Sequence, residues 1–189
     1  MEKRIRMASL EDCERIREIY APYILHTAVS FETEVPSVEA FCERMKSIQS
    51  QFPWLVCEID GKIAGYAYAS KHGQRAAYQW SVDVSIYLDE AYHRMHIATD
   101  LYDAVLALVR AQGYFTAYAA ISVPNERSDA FHENYGFELA GTLHNAGYKL
   151  GEWHDLKWYE YKLAPYPKNP VPPITIHELE KTSVCQLKV

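Results

Sequence analysis

An alternating strand followed directly by a helix is the feature of this 189-residue chain that most restricts its fold. In residues 80–88, WSVDVSIYL, apolar side chains occupy every second position, which is typical of a strand with one buried face. The following stretch opens a helix that runs to about Gln112 and ends at Gly113, a residue common at helix C-termini. This order of elements predicts a sheet with helices packed on it.

The remaining segments predict the element order β-α-α-β-β-β-α-β-α-β-β. Asp60-Gly61 between two strand-like runs predicts a tight β-hairpin. The expected fold class is α/β (α+β), with a mixed, mostly antiparallel sheet of about seven strands flanked by about four helices over residues 1–163. Residues 164–189 form a proline-rich C-terminal tail, whose last part, ITIHELEKTSVCQLKV, is predicted as a short strand with a polar end.

Composition and charge narrow the possible partners. The formal net charge of -6 argues against broad electrostatic binding of nucleic acid or an anionic membrane. No apolar run reaches the roughly 18 residues of a membrane-spanning helix. The four cysteines have no C-x-x-C spacing, so neither a zinc motif nor a redox motif is predicted. We therefore expect a soluble cytoplasmic protein in a reducing compartment.

The strand–helix junction, AYHRMHIATD (residues 91–100), is a candidate anion site. The first turn of a helix presents unpaired N–H groups and the positive end of the helix dipole, and both favour phosphate. Arg94 adds a cation and Thr99 a hydroxyl, but the junction has no glycine. A plain capped surface helix remains an alternative. His93 and His96 have no third ligand nearby in sequence, so no metal site is predicted.

Several segments together resemble a known family. They are SFETEVP, AYQWSVDVSIYL, the junction at 91–99, PNERSDAFHENYGF and GYKLGEWHDLKWY. From Ile5 to Leu163 the chain resembles the GNAT N-acetyltransferase superfamily, and within it the phosphinothricin and methionine sulfoximine N-acetyltransferase group. The resemblance implies the GNAT acyl-CoA N-acyltransferase fold, acetyl-CoA as co-substrate and no metal.

The resemblance also implies a set of acetyl-CoA contacts. The superfamily pattern Q/R-x-x-G-x-G/A holds the CoA pyrophosphate on backbone N–H groups. His93, His96 and Ala98 stand at its defining positions, so the two histidines depart from the pattern. The residues expected to bind acetyl-CoA are Ile86, Tyr87, Leu88, Arg94, Met95, His96, Ile97, Ala98, Thr99, Asn125 and Ser128.

Two residues are expected to be catalytic. Asp83 stands where the family usually has Glu, and it would take a proton from the acceptor amine through water, since its side chain is one methylene shorter. His132 matches a histidine of the phosphinothricin group, and its imidazolium would protonate the departing CoA thiolate. The alternatives are a solvent-facing strand carboxylate and a structural helix histidine.

The acceptor side is expected to involve Phe31, Glu32, Arg75, Tyr78 and Trp80, which match positions near the amino-acid acceptor in the resembling group. Arg75 suits a bidentate clamp on a carboxylate, although it also suits an ordinary charged loop.

The resulting hypothesis is an N-acetyltransferase that moves the acetyl group of acetyl-CoA to the α-amine of a small amino-acid-like acceptor. Phosphinothricin, methionine sulfoximine and methionine sulfone represent this acceptor type, and the family resemblance and tyrosine-rich final strands suggest a homodimer. One alternative is an acetyltransferase for another amine: a protein N-terminus, a polyamine or an antibiotic. The other is an acyl-CoA-binding protein with little catalysis.

Overall fold

One sheet organises the part of the chain that the computed structural model describes, residues 2–92 and 95–182. Its seven strands lie in the order β1-β2-β3-β4-β5-β7-β6, and only β4 and β5 are parallel neighbours. The strands are β1 (Lys3–Met7), β2 (Trp54–Ile59), β3 (Lys62–Lys71), β4 (Ser81–Leu88), β5 (Thr116–Ser122), β6 (Glu138–Lys149) and β7 (Glu152–Lys162). The predicted fold class, strand number and element order are confirmed.

Helices cover both faces of the sheet. They are α1 (Cys13–His26), α2 (Val38–Gln49), α3 (Ile97–Gln112), α4 (Glu126–Tyr135) and α5 (Ile176–Glu180). Because strand side chains alternate between faces, Trp54 and Val56 of β2 pack with α1 and α2, whereas Leu55 and Cys57 pack in the core under α3. Each face therefore has its own hydrophobic core.

The predicted turn and helix end are both confirmed. Asp60 and Gly61 have φ values of 49° and 76°, which is the left-handed conformation of a two-residue hairpin turn. Gly113 ends α3 with a φ of 102°, and its N–H donates to the carbonyls of Val109 and Arg110.

The tail contains a helix, so the predicted strand in ITIHELEKTSVCQLKV is wrong over the part that is described. Thr175 and Glu178 form a capping box, in which the Glu178 N–H donates to the Thr175 hydroxyl and the Glu178 carboxylate accepts from the Thr175 N–H. Ile176 and Leu179 of α5 are buried against the core under α3. The tail is therefore packed on the same core as residues 1–163.

Two cysteines are paired, which differs from the expectation of reduced thiols. Cys13 of α1 and Cys42 of α2 form a disulfide, with their Cα atoms 5.6 Å apart. They are 29 residues apart in sequence, and only the packing of α1 on α2 brings them together. Among the described helices, none is both long and apolar enough to cross a bilayer.

Candidate active site

A gap between β4 and β5 forms the candidate site. The parallel pairing of these strands runs from Ser81 opposite Thr116 to Asp83 opposite Tyr118. β4 then continues to Leu88 along β3, but its described pairing with β5 ends. The gap opens into a cavity of about 610 Å³. A strand that leaves its neighbour exposes backbone N–H and C=O groups to whatever fills the gap.

Most of the residues predicted to bind the cofactor line this cavity. Those that line it are Ile86, Leu88, Met95, His96, Ile97, Ala98, Thr99, Asn125 and Ser128. Tyr87 lines a smaller cavity of about 50 Å³, which shares Val29 and Ile86 with the larger one. Arg94 lies outside the described residues. Arg127 and Tyr23 also line the larger cavity and were not predicted.

The start of α3 faces this cavity with its first-turn backbone. His96 precedes the helix with φ 57° and ψ 16°, the left-handed conformation that glycine adopts most easily. The histidine therefore takes the backbone shape of a glycine while its side chain remains exposed. Nearby carboxylates have partners, since Asp100 pairs with Lys3 and Asp103 accepts from the Tyr135 hydroxyl at 2.6 Å. These contacts reduce the repulsion that α3 carboxylates would exert on an anion.

Asp83 lies at the point where β4 and β5 separate. Its Oδ1 is 2.6 Å from Nδ1 of His72, the residue that follows β3. Burial raises the pKa of the Asp83 carboxyl above its ordinary value, while the hydrogen bond and charge of His72 act in the opposite direction. A carboxylate with a raised pKa is a stronger base than an exposed aspartate.

His132 is buried between α3 and α4. Its Nδ1 is 2.7 Å from the Ser128 carbonyl, and its Nε2 is 2.9 Å from the hydroxyl of Tyr102. Because a carbonyl can only accept, Nδ1 carries the proton and Nε2 accepts from Tyr102 when the ring is neutral. Burial lowers the pKa of His132, so the neutral form is favoured. His132 and Tyr102 both line the smaller cavity.

The loop between α1 and α2 holds two of the predicted acceptor residues. Glu32 accepts hydrogen bonds from Arg44 at 2.5 and 3.1 Å and from the Tyr20 hydroxyl at 3.0 Å. Phe31 packs on Gly147 so closely that a Cβ there would lie 2.6 Å from its ring. The buried Lys149 donates to the Ser30 carbonyl, which ties this loop to β6.

The other predicted acceptor residues lie on the segment between β3 and β4. Arg75 is exposed at the start of a 3-10 turn (Ala76–Tyr78), and Tyr78 meets the His72 ring edge-on at 5.6 Å. Trp80 is engaged elsewhere: its indole N–H donates to the Val171 carbonyl of the tail at 2.9 Å. Trp80 also lines a separate cavity of about 140 Å³ together with Tyr166.

Besides Tyr23, the sequence analysis missed four residues of the site: His72, Tyr102, Arg127 and Lys149. His72 is in the predicted loop KHGQR, and only the register of β3 with β4, which sets Ser70 opposite Asp83, places it beside the carboxylate. Tyr102 has the helical spacing of an ordinary core residue. His72 and Tyr102 stand in no motif that a sequence alone distinguishes, whereas Arg127 and Lys149 lie within the segments PNERSDAFHENYGF and GYKLGEWHDLKWY. Within residues 2–92 and 95–182, no cluster of three or more metal-ligating side chains occurs.

The sheet opens beside the parallel pair β4 and β5, toward the start of α3, and such an opening suits a substrate that carries an anionic group. A family model described as an acetyltransferase (GNAT) domain matches residues 5–158. The chain therefore belongs to the GNAT acetyltransferase family.

Named relatives support this assignment. The chain is 36% identical over 172 residues to phosphinothricin N-acetyltransferase of Streptomyces viridochromogenes, covering 90% of this chain and 94% of the relative. It is 27% identical to the L-methionine sulfoximine/L-methionine sulfone acetyltransferase of Salmonella typhimurium, covering 84% and 94%. The crystal structure of a GNAT superfamily phosphinothricin acetyltransferase from Sinorhizobium meliloti, in complex with AcCoA, superimposes with a TM-score of 0.85 at 28% identity, covering 93% and 99%.

Proposed function

We propose that this protein transfers the acetyl group of acetyl-CoA to the α-amine of a small amino-acid-like acceptor of the phosphinothricin, methionine sulfoximine or methionine sulfone type. The observation that carries the proposal is the position of Asp83, a partly buried carboxylate where β4 leaves β5. The next residue, Val84, lines the smaller cavity. The named activities of the relatives support the acceptor class.

Acetyl-CoA fits the cavity by its chemistry. Its pyrophosphate would lie on the N–H groups of Ile97, Ala98 and Thr99, where the helix dipole favours an anion. The exposed edge of β4 at Ile86–Leu88 would pair with the pantetheine amides, and Asn125 and Ser128 line the opposite wall. Arg127 lies in the same wall and adds a positive charge.

Replacing His96 with glycine is expected to stabilise the protein and tighten acetyl-CoA binding. A non-glycine residue in the left-handed conformation costs about 1–2 kcal/mol, which glycine avoids. Urea unfolding and calorimetric titration with acetyl-CoA measure the two effects. His96→Ala is the matched control, because it removes the imidazole but keeps the Cβ. Equal stability of both variants would contradict the role of backbone strain.

The proposed reaction is direct attack on the thioester. Proton removal from the acceptor ammonium centres on Asp83 and uses water, because the aspartate side chain is short. The free amine then forms a bond to the thioester carbonyl carbon, and strand N–H groups near Val84 stabilise the oxyanion. The C–S bond breaks, and His132, which is neutral at rest, takes the second proton of the acceptor nitrogen on Nε2 and passes it to the thiolate.

The acceptor would bind on the sheet face that carries Asp83. Tyr68 lies opposite Ser85, two residues along β4 from Asp83, and therefore belongs to the same face of the sheet. Phe31 and Tyr78 offer aromatic walls, and Arg75 would pair with the acceptor carboxylate. We leave Trp80 out of this set, because its indole N–H is bonded to the tail.

We also propose a homodimer in the cytoplasm. The β6–β7 hairpin exposes Leu143, Tyr148 and Trp153 to solvent by more than half of their surface, which is unfavourable for an isolated chain. Acetyl-CoA is an intracellular donor, which supports the location.

Calorimetric titration with acetyl-CoA, followed by a thiol-release assay, tests the proposal. We expect binding, and thiol release with phosphinothricin, methionine sulfoximine or methionine sulfone. The α-N-acetylated form of each acceptor is the matched control, since its amine is already blocked. Release only with a peptide, a polyamine or an aminoglycoside would contradict the acceptor class. Binding without release would indicate a CoA-binding protein, and no binding would mean that α3 is only a capped surface helix.

A further inference from the structure

The carboxylate of Asp83, at the last described pair between β4 and β5, has a histidine bound to it. Nδ1 of His72 is 2.6 Å from Oδ1 of Asp83, and the two side chains are 20% and 28% exposed. They are thus partly buried yet reachable from solvent. The His72 ring stacks on Tyr118 with their centroids 4.3 Å apart, and Trp158 meets its edge at 5.6 Å. Packing therefore fixes the plane of the imidazole as well as its position.

We propose that His72 and Asp83 act as one proton-accepting unit, in which His72 receives the proton of the acceptor ammonium and Asp83 orients and stabilises the imidazolium. The inference rests on the proposed acetyl transfer and assigns its base. His72 is then a catalytic residue, and Asp83 acts on the amine through it.

The hydrogen bond determines which ring nitrogen is basic. The carboxylate of Asp83 can only accept, so Nδ1 of His72 carries the proton and Nε2 carries the lone pair. An aspartate that fixes the tautomer of a histidine and stabilises its charged form is the arrangement by which hydrolases obtain a general base. Histidine is also the side chain that most often acts as a general base in enzymes.

Among the described residues, Asp83 is the charged partner of His72. The other titratable groups that face the ring are the phenols of Tyr78 and Tyr118, from the 3-10 turn and β5. Burial raises the pKa of Tyr118, so it stays neutral near pH 7. The imidazole of His72 and the carboxylate of Asp83 are therefore the groups that exchange the proton here.

The step balances as follows. The acceptor ammonium loses one proton, through water, to Nε2 of His72, which becomes imidazolium beside the Asp83 carboxylate. The neutral amine forms the C–N bond to the thioester carbon, and the C–S bond breaks with its electron pair on sulfur. The second proton of the acceptor nitrogen goes to Nε2 of His132, which is neutral at rest, and from there to the thiolate. His72 releases its proton to solvent. The products are the N-acetylated acceptor, free CoA thiol and one proton.

His72→Asn separates catalysis from positioning. The asparagine amide can still donate to Asp83 but cannot accept a proton near neutral pH. We expect kcat/KM for the acceptor to fall about 100-fold or more at pH 7, the ordinary contribution of a general base. The Kd for acetyl-CoA should stay within about twofold. The difference in kcat/KM between His72→Asn and the unaltered protein should become smaller as the pH is raised, because the acceptor amine then loses its proton to solvent.

Imidazole added to His72→Ala provides a second readout. We expect free imidazole to restore part of the activity in a concentration-dependent way, since the cavity left by the ring faces solvent. His177→Asn is the matched control, because His177 also faces a carboxylate, Glu180, but lies exposed on α5. It should keep wild-type kinetics. Acetyl-CoA titration of each variant verifies that it is folded.

The outcomes separate this inference from the proposed function. If the unaltered protein releases no thiol with any amino-acid acceptor, the proposed function itself is wrong. If it turns over, but His72→Asn stays within about threefold of it with the same pH profile, His72 is not the base. A pH-independent loss without imidazole rescue would also overturn the proposal, because it would indicate a structural role only.

Discussion

Replacing Asp83 with asparagine is expected to lower kcat/KM by about 100- to 10,000-fold, the range for loss of general-base catalysis. Asparagine has nearly the same volume but no negative charge, so it can neither accept a proton nor stabilise an imidazolium at His72. Acetyl-CoA lies along the edge of β4 in our proposal, and its Kd should be unchanged. Thiol release and calorimetric titration measure the two quantities.

Asp83→Glu serves as the rescue variant for this prediction. It restores the longer carboxylate that the family usually has at this position, so it should retain far more activity than Asp83→Asn. Asp155→Asn is a control outside the cleft, because Asp155 also contacts a histidine, His144, at 2.8 Å. Wild-type turnover by Asp83→Asn would remove Asp83 from the mechanism.

The raised pKa of Asp83 gives the activity a defined dependence on pH. Burial disfavours the carboxylate, so Asp83 becomes protonated at a higher pH than an exposed aspartate would, although His72 opposes this shift. Activity should therefore decline on the acid side before ordinary carboxylates titrate. A pH profile of kcat/KM tests this, and an acid limb at or below the ordinary aspartate value would contradict it.

Ending the chain at Pro172 is expected to lower the free energy of unfolding by roughly 3–6 kcal/mol, since full burial of an Ile or Leu side chain contributes about 1.5–3 kcal/mol. The truncation removes Ile176 and Leu179, which are 1% and 3% exposed. It also removes the Ile174 carbonyl. This carbonyl and that of Gln51 both accept a hydrogen bond from the buried side-chain amide of Gln112. Urea unfolding measures the change.

Single substitutions in α5 show where this stability resides. Ile176→Ala should reproduce a large part of the loss, about 2–5 kcal/mol for a buried Ile to Ala change. His177→Ala, at the next and exposed position, should change stability by less than about 0.5 kcal/mol. If the truncated chain unfolds at the wild-type urea concentration, the tail is not part of the core.

Local rules were sufficient for much of the fold. The turn at Asp60-Gly61, the alternation in β4 and the end of α3 at Gly113 depend on residues within a few positions of each other. Hence the sequence pattern and the structure agree there. The tail differs from its predicted strand for a local reason as well, because the Thr175–Glu178 capping box starts a helix there.

Long-range placement explains what the sequence left open. Lys149 meets the Ser30 carbonyl across 119 positions, and Trp80 meets the tail across 91. No periodic pattern in the sequence predicts either contact. The same holds for Cys13 and Cys42, whose pairing depends on the packing of α1 against α2.

The sequence by itself determined the order of elements and the family resemblance, and it singled out Asp83 and His132 as candidates for proton transfer. These depend on spacing and residue type, which are properties of the linear chain. Only the tertiary structure decided that Asp83 binds His72 and that His132 accepts from Tyr102. The reason is physical: a proton moves between atoms a few ångströms apart, and strand register and helix packing set those distances.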